Sequence, residues 1–287
     1  LLGSKRYFKT FFQHRIERKN DEQQLIKLRK IVAPFILRRT KSEVAKDLPA
    51  RVDQLLICVM TDAQAEYYRK AKETFRNLIL EHLNAQNSRQ RQIFLLQGLS
   101  KLRQIANHPG MVDPDYTGGA GKMDDVRQKL FDVLAEGHKV LIFSSFVQHL
   151  NFVKQMLVAE KIPFVMMTGE TEDREKVIKD FKYSKEIQIF LITIKTGGVG
   201  LNLAEADYVF ILDPWWNPAS EEQAVARAHR IGRLNNVFVY RFISKDTIEE
   251  KIYNMQKRKQ KLADELITSE ESFIKALSST ELEELFA

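Results

Sequence analysis

The chain has 287 residues, 44% of them hydrophobic, enough apolar mass for one or two cores of ordinary domain size, which excludes a disordered protein. One cysteine, Cys58, excludes an internal disulfide framework and any cysteine-rich zinc site, and no apolar run approaches a membrane span. A formal net charge of +7 and an isoelectric point near 9.3 favour a polyanionic partner. The opening LLGSKRYFKTFF lacks the long apolar core of a signal peptide, and with the cysteine count this points to an intracellular protein. Leu1 is not an initiator methionine, so the sequence is expected to be part of a longer chain.

Residues 1–48 read as basic and helical, with Leu25, Leu28 and Val32 at helical spacing, and end in PFILRRTKSEVAKDLP, which Pro49 closes. A short strand, LLICVM, follows. Thr61 and Gln64 then form a capping-box pattern opening a helix that carries Tyr68, Phe75, Leu78 and Ile79. A second helix is expected from about 90 to 107, stopped by HPG. From Lys139 the texture alternates: VLIF, PFVMM, IQIFLIT, YVFIL and VFVYRF are separated by helical patterns, which predicts an α/β fold, a parallel sheet with helices on both faces. After Thr247 an amphipathic helix is expected, with Ile248, Ile252, Met255 and Leu262 on one side among KRKQK charges.

Parallel sheets bind ligands at the carboxyl ends of their strands, so the loops there are the first place to seek chemistry. TGGAGKM resembles a phosphate-binding loop, but the first glycine of GxxxxGK[ST] would be Tyr116, Met123 replaces the magnesium-binding hydroxyl, and no strand precedes it. It is read as a flexible connection. KTGGVGLN, from Lys195 to Asn202, directly follows IQIFLIT; its glycines let backbone amides approach a phosphate, and Lys195 and Thr196 add a charge and a hydroxyl. A tight packing turn is the alternative reading. YVFIL ends in DPWWNP, and QAVARAHRIGR follows five residues later, putting Arg227, His229 and Arg230 within one expected helical turn. The sheet edge is thus expected to offer a glycine-rich loop, an acid with two aromatics, and a helix with paired arginines.

These runs resemble motifs V and VI of superfamily 2 nucleic-acid motors, and in detail the SWI/SNF family of helicase-related ATPases, with PFILRRTKSEV, VLIFSSF and MTGETEDR similar to further family segments. The DPWWNP form looks most like bacterial members. The resemblance implies the C-terminal RecA-like lobe of a double-stranded-DNA-dependent ATPase that translocates on DNA and remodels protein–DNA complexes. It divides the chain into a helical lead-in at 1–48, a RecA-like lobe at 49–246 with a helical protrusion at about 62–110, and C-terminal brace helices at 247–287.

Carried onto this sequence, the resemblance makes Arg227 and Arg230 arginine fingers toward ATP, assisted by Gln223, Asn202 and Gly200. It assigns DNA contact to Lys195, Thr196, Gly197, Trp216, Ser144 and Gly169, with Trp215 free to be core. Arg233 stands where the family usually has glutamine, and Thr196 where it usually has alanine. The chain contains no GxxxxGK[ST] and no DExx-type acidic motif after a strand, so ATP and Mg²⁺ are expected to be held mainly by a first RecA-like lobe of the same polypeptide. A DNA-bound protein is a further expected partner, and bacterial cytoplasm or nucleoid the expected location. Two other readings remain open: a RecA-like module that binds nucleic acid or protein without catalysis, and an RNA helicase of the same superfamily.

Overall fold

The computed structural model describes residues 2–13, 15–16, 21–35, 48–83, 88–197, 201–230, 233, 235–259 and 285. Two compact units divide the chain, Leu1–Asp47 and Leu48–Ala287. In the first, α1 (Lys5–Phe8) runs into a π-helical turn, Lys9–Gln13, and the rings of Tyr7 and Phe11 stack at 4.4 Å. Asp21 accepts a 3.2 Å hydrogen bond from the Gln24 amide and so caps α2 (Glu22–Val32), on which Leu25, Leu28 and Val32 are half-buried. The expected segment PFILRRTKSEV lies outside the described residues beyond Phe35.

In the second unit, β1 (Arg51–Cys58), β2 (Val140–Ser144), β3 (Phe164–Met167), β4 (Ile189–Thr193), β5 (Tyr208–Ile211) and β6 (Val237–Ser244) form one parallel sheet in the order β1-β6-β5-β2-β4-β3. The uninterrupted apolar runs VLIFS and IFLIT are buried throughout, as strands covered on both faces require. The pleat divides them: Leu141, Phe143, Phe190 and Ile192 enter one core, while Val140, Ile142, Ile189 and Leu191 enter the other.

Two long helices, α3 (Asp62–Leu83) and α4 (Ser88–Asn107), connect β1 to the next helix. Helices α5 (Gly121–Ala135) and α6 (Val147–Ala159) then cover one face of the sheet through Val126, Leu130, Leu150 and Val153. The other face takes α7 (Arg174–Tyr183), the single turn α8 (Ile194–Gly197) and α9 (Pro218–Ala228) through Phe181, Ile194, Ala224 and Val225. A last helix, α10 (Ile248–Lys259), shares a third core with α3 and α4, formed by Tyr68, Leu99, Leu102, Ile248 and Ile252. The Tyr68 hydroxyl accepts from the Ile248 amide at 2.8 Å. Phase along α3 follows the expectation for Tyr68 and Phe75 but not for Leu78, which is exposed; the side chains of Ile79 and Leu262 lie outside the described residues.

Thr61 accepts from the Gln64 amide at 3.3 Å, giving half of the expected capping box. The reciprocal half is missing because the fully buried Gln64 side chain is used elsewhere. It donates to the carbonyls of Ile105 and Ala106 and accepts from the Gly121 amide, tying the end of α4 to the start of α5.

TGGAGKM is the connection expected only as far as Ala120. Gly121 opens α5, and the Lys122 ammonium, without solvent contact, donates to Asn107 Oδ1 at 2.7 Å, Leu212 O at 3.1 Å and Glu249 Oε2 at 2.5 Å. A Cβ at position 121 would lie 1.8 Å from the Val59 carbonyl oxygen, a backbone atom that cannot rotate away. Gly121→Ala is therefore expected to destabilise by about 3 kcal/mol or more. Lys122→Met, which strands the buried Glu249 carboxylate, should cost about 3–5 kcal/mol, most of it recovered by Lys122→Met/Glu249→Leu. Urea unfolding of the three variants checks both; a neutral Lys122→Met would show that the ion pair stabilises nothing.

Candidate functional site

The carboxyl ends of β3, β4, β2 and β5 form one edge of the sheet, with Ser144 directly beside Thr193 in the parallel register. Lys195 is exposed there, on α8, whereas Thr196 is buried with its hydroxyl 2.7 Å from that of Thr193. Gly197 ends the same turn, and Gly200 lies outside the described residues. Beyond β3, Gly169 is exposed, and a Cβ there would meet nothing within 4 Å. The neighbouring turn is held by Thr171, whose hydroxyl accepts from the Thr168 amide at 2.9 Å. Lys195 and Gly169 are thus open to a ligand at this edge. The Ser144 and Thr196 hydroxyls are committed internally.

The commitment of Ser144 is to Asp213. Its hydroxyl donates to Asp213 Oδ2 at 2.5 Å, and the Ser145 amide adds bonds of 3.1 and 3.2 Å to the two carboxylate oxygens. His149 Nδ1 lies 3.7 Å from the same carboxylate. Burial pushes the Asp213 carboxyl up, but its contacts with His149, Arg103 and Ser144 more than offset this and hold it below the usual carboxylate range. Burial likewise pushes the His149 imidazole down, against the pull of Asp213.

Arg103, on α4, is 2% exposed. Its Nη2 donates to Asp213 Oδ1 at 3.2 Å and to the Pro214 carbonyl at 2.7 Å. The guanidinium lies between the rings of Phe146 and Trp216, 5.0 and 4.9 Å from their centroids. This corrects the reading of the tryptophan pair. Trp216, expected against DNA, is 1% exposed in the core shared by α3, α4 and α10, and Trp215 is the half-buried one. The sequence reading missed Arg103 altogether. Its signal was present: an arginine in register with Leu99, Leu102 and Ala106 on an apolar helix face requires a buried partner.

The arginine pair stands elsewhere. Asn217 caps α9 by accepting from the Ala219 amide at 2.9 Å, and Pro218 occupies the first helical position. Glu221 fixes this end further, accepting from the Trp215 amide at 2.7 Å and from Arg241 at 3.2 Å. The helix ends at Ala228, so Arg230 lies beyond it and not within the same turn as Arg227; His229 is the C-cap, its amide bonded to the Val225 carbonyl at 2.9 Å. His229 Nε2 faces the Pro49 carbonyl at 2.9 Å; a carbonyl only accepts, so this nitrogen carries the proton. Arg227 is half-buried, its basicity lowered by burial and then by the charge of Arg230, which is exposed. Gln223 and Asn202 are also exposed.

Pro49 precedes β1, and the Leu203 amide, in the turn before β5, donates to the Arg227 carbonyl at 3.1 Å. Arg233, buried, secures the same end: it donates to the carbonyls of Ala204 and Ala206 at 2.6 Å and to Asp207 at 2.5 Å. The end of α9 therefore sits at the amino edge of the sheet. The expectation of one shared edge is corrected: Lys195, Gly169 and DPWWNP lie at the carboxyl edge, and Arg227 and Arg230 at the other. A helix that follows a parallel strand must run back along the sheet.

Residues 1–111 match the SNF2-related domain and residues 121–232 the helicase conserved C-terminal domain. A putative ATP-dependent helicase/translocase of Bacillus subtilis, YwqA, is 34% identical over 99% of the chain, which spans 31% of that protein. The DNA excision repair protein CSB of rice is 35% identical over 84% of the chain and 20% of its own length. The Sulfolobus solfataricus SWI2/SNF2 ATPase core, solved in complex with double-stranded DNA, superposes with a TM-score of 0.71 at 31% identity, covering 99% of this chain and 60% of that one. The chain thus spans about a third or less of the length of the Bacillus subtilis and rice proteins. Adjoining family matches, relatives aligned along nearly the whole chain and the fold of a solved member agree: the chain belongs to the SWI2/SNF2 family.

Proposed function

We propose that this chain is the C-terminal motor lobe of a double-stranded-DNA-dependent ATPase and translocase that remodels protein–DNA complexes inside the cell, in a bacterial nucleoid by its sequence character. The observation that best supports this is α9, anchored at both ends between the two edges of the sheet. Its 11 residues, at about 1.5 Å each, span about 16 Å. A shift imposed on the arginine end is carried by a stiff element to the DPWWNP end, where the backbone-contact candidates stand.

At the amino edge, Arg227 and Arg230 would meet the phosphates of ATP, with the exposed Gln223 and Asn202 assisting and Gly200 as a further ATP-binding candidate outside the described residues. Guanidinium groups suit this role because they stay charged and present a fixed fork of donors. ATP supplies the phosphoanhydride whose cleavage spreads charge over the γ-phosphate oxygens. Mg²⁺ is assigned, with most of the ATP contacts, to the first RecA-like lobe of the same polypeptide, as the resemblance implies. At the carboxyl edge, Lys195 neutralises a DNA phosphate, Gly169 admits the backbone closely, and Thr196, Gly197 and Ser144 shape the turns that present them. Residues 1–48 would lead in from the first lobe, 49–246 form the second, and 247–287 brace it, with a DNA-bound protein as the object remodelled.

In the full-length protein, Arg227→Ala or Arg230→Ala should lower DNA-stimulated ATP hydrolysis by about 10³ or more while DNA binding is retained. Normal turnover in either variant removes that arginine from the phosphate site. Lys195→Ala should weaken binding to all DNA sequences alike and reduce the slope of log affinity against log salt by about one, read by titration at several salt concentrations. An unchanged slope takes Lys195 off the DNA. The isolated chain should hydrolyse no ATP above a trace; DNA-stimulated turnover by it alone would overturn its assignment as one lobe of two.

A further inference from the structure

We infer that Arg103 is a positioning residue through which the α3–α4 helical pair governs the two strand-end turns at the carboxyl edge; the inference rests on the DNA-translocase reading above. Its three acceptors come from both turns. Ser145 Oγ, 3.4 Å from Nη2, belongs to the turn after β2, whereas Asp213 Oδ1 and the Pro214 carbonyl, at 3.2 and 2.7 Å, belong to the turn after β5. The flanking rings divide the same way: Phe146 is the N-cap of α6, and Trp216 leads into α9. One guanidinium thus ties both turns together, hydrogen-bonded to each and within cation–π distance of a ring from each.

Packing alone does not require this arrangement. A buried ion pair can often be replaced by apolar side chains of similar volume without loss of stability. What the arrangement provides is connection. Helix α4 is joined to α5 by Gln64 and to α10 by a common core, so a displacement of the helical pair reaches Ser144–Phe146 and Asp213–Trp216 together. Those turns frame the edge that carries Lys195 and Gly169.

The test uses the full-length protein and compares ATP turnover with and without double-stranded DNA, each variant assayed well below its own melting temperature. Arg103→Lys keeps the charge but loses the plane and the fork. The ratio of DNA-stimulated to DNA-free turnover should fall about tenfold, toward the upper range for a mutation outside both ligand sites. Phe146→Leu removes one of the two cation–π partners and leaves the ion pair intact, so it should fold and lower the same ratio about threefold. A merely structural role would lower both rates together as the folded fraction falls. An unchanged ratio in whichever variant folds overturns the inference. Absence of DNA stimulation in the unaltered protein overturns the translocase reading itself, which distinguishes the two failures.

Discussion

A carboxylate without solvent contact, Asp213, organises the carboxyl edge of this sheet. Burying a charge is costly unless donors surround it, and Asp213 recruits them from two places, Ser144 and Ser145 at the end of β2 and Arg103 on α4, with the His149 ring 3.7 Å away on α6. Because those donors are bound to one group, the ends of β2 and β5 and the helical pair inserted after β1 cannot move independently. The sheet does not need Asp213 to pair its strands, whose apolar runs suffice. The edge needs it to have a fixed shape.

The opposite edge is fixed by different chemistry. There, Arg233 spreads its donors over the backbone carbonyls of Ala204, Ala206 and Asn235 and over Asp207, and the Leu203 amide binds the last carbonyl turn of α9. A guanidinium serves this purpose well because carbonyls leaving a helix and carbonyls entering a strand face it together. With both ends secured, α9 moves as one piece, which is the mechanical condition for relating events at one edge to events at the other.

Five strands of the sheet were legible in the sequence because they are runs rich in Val, Ile, Leu and Phe, and they stand where VLIF, PFVMM, IQIFLIT, YVFIL and VFVYRF place them; β1, expected at LLICVM, starts four residues earlier at Arg51 because its polar, largely exposed first half pairs with β6 at the sheet's edge. The helical pair was legible from Thr61 and the HPG stop. What the sequence could not supply was which polar groups turn inward. TGGAGKM looks like a loop because it is rich in glycine, yet its glycine is needed against the Val59 carbonyl and its lysine is wholly buried. Trp215 and Trp216 are adjacent and chemically identical, and only the course of the chain from β5 into α9 decides which one meets the helical pair. The division between edges was missed for a related reason: motif order along the chain says nothing about the direction a helix takes after its strand.

Composition counts every arginine alike, but the residues around the end of α9 separate two kinds. Arg233 is buried, and its donors are taken up by the carbonyls of Ala204, Ala206 and Asn235 and by Asp207, so it cannot turn to a ligand without leaving acceptors unsatisfied. Arg230 is exposed, three positions before Arg233, and has no carboxylate partner among the described residues. Its charge is therefore directed outward, toward whatever anion approaches the amino edge. The difference arises from the helix ending at Ala228: a helix continued through Arg230 would place Arg227 and Arg230 on one face and leave Arg233 to follow them. Because the chain breaks away at His229, bound to the Pro49 carbonyl, it delivers one arginine to the surface and the next into the turn before β5.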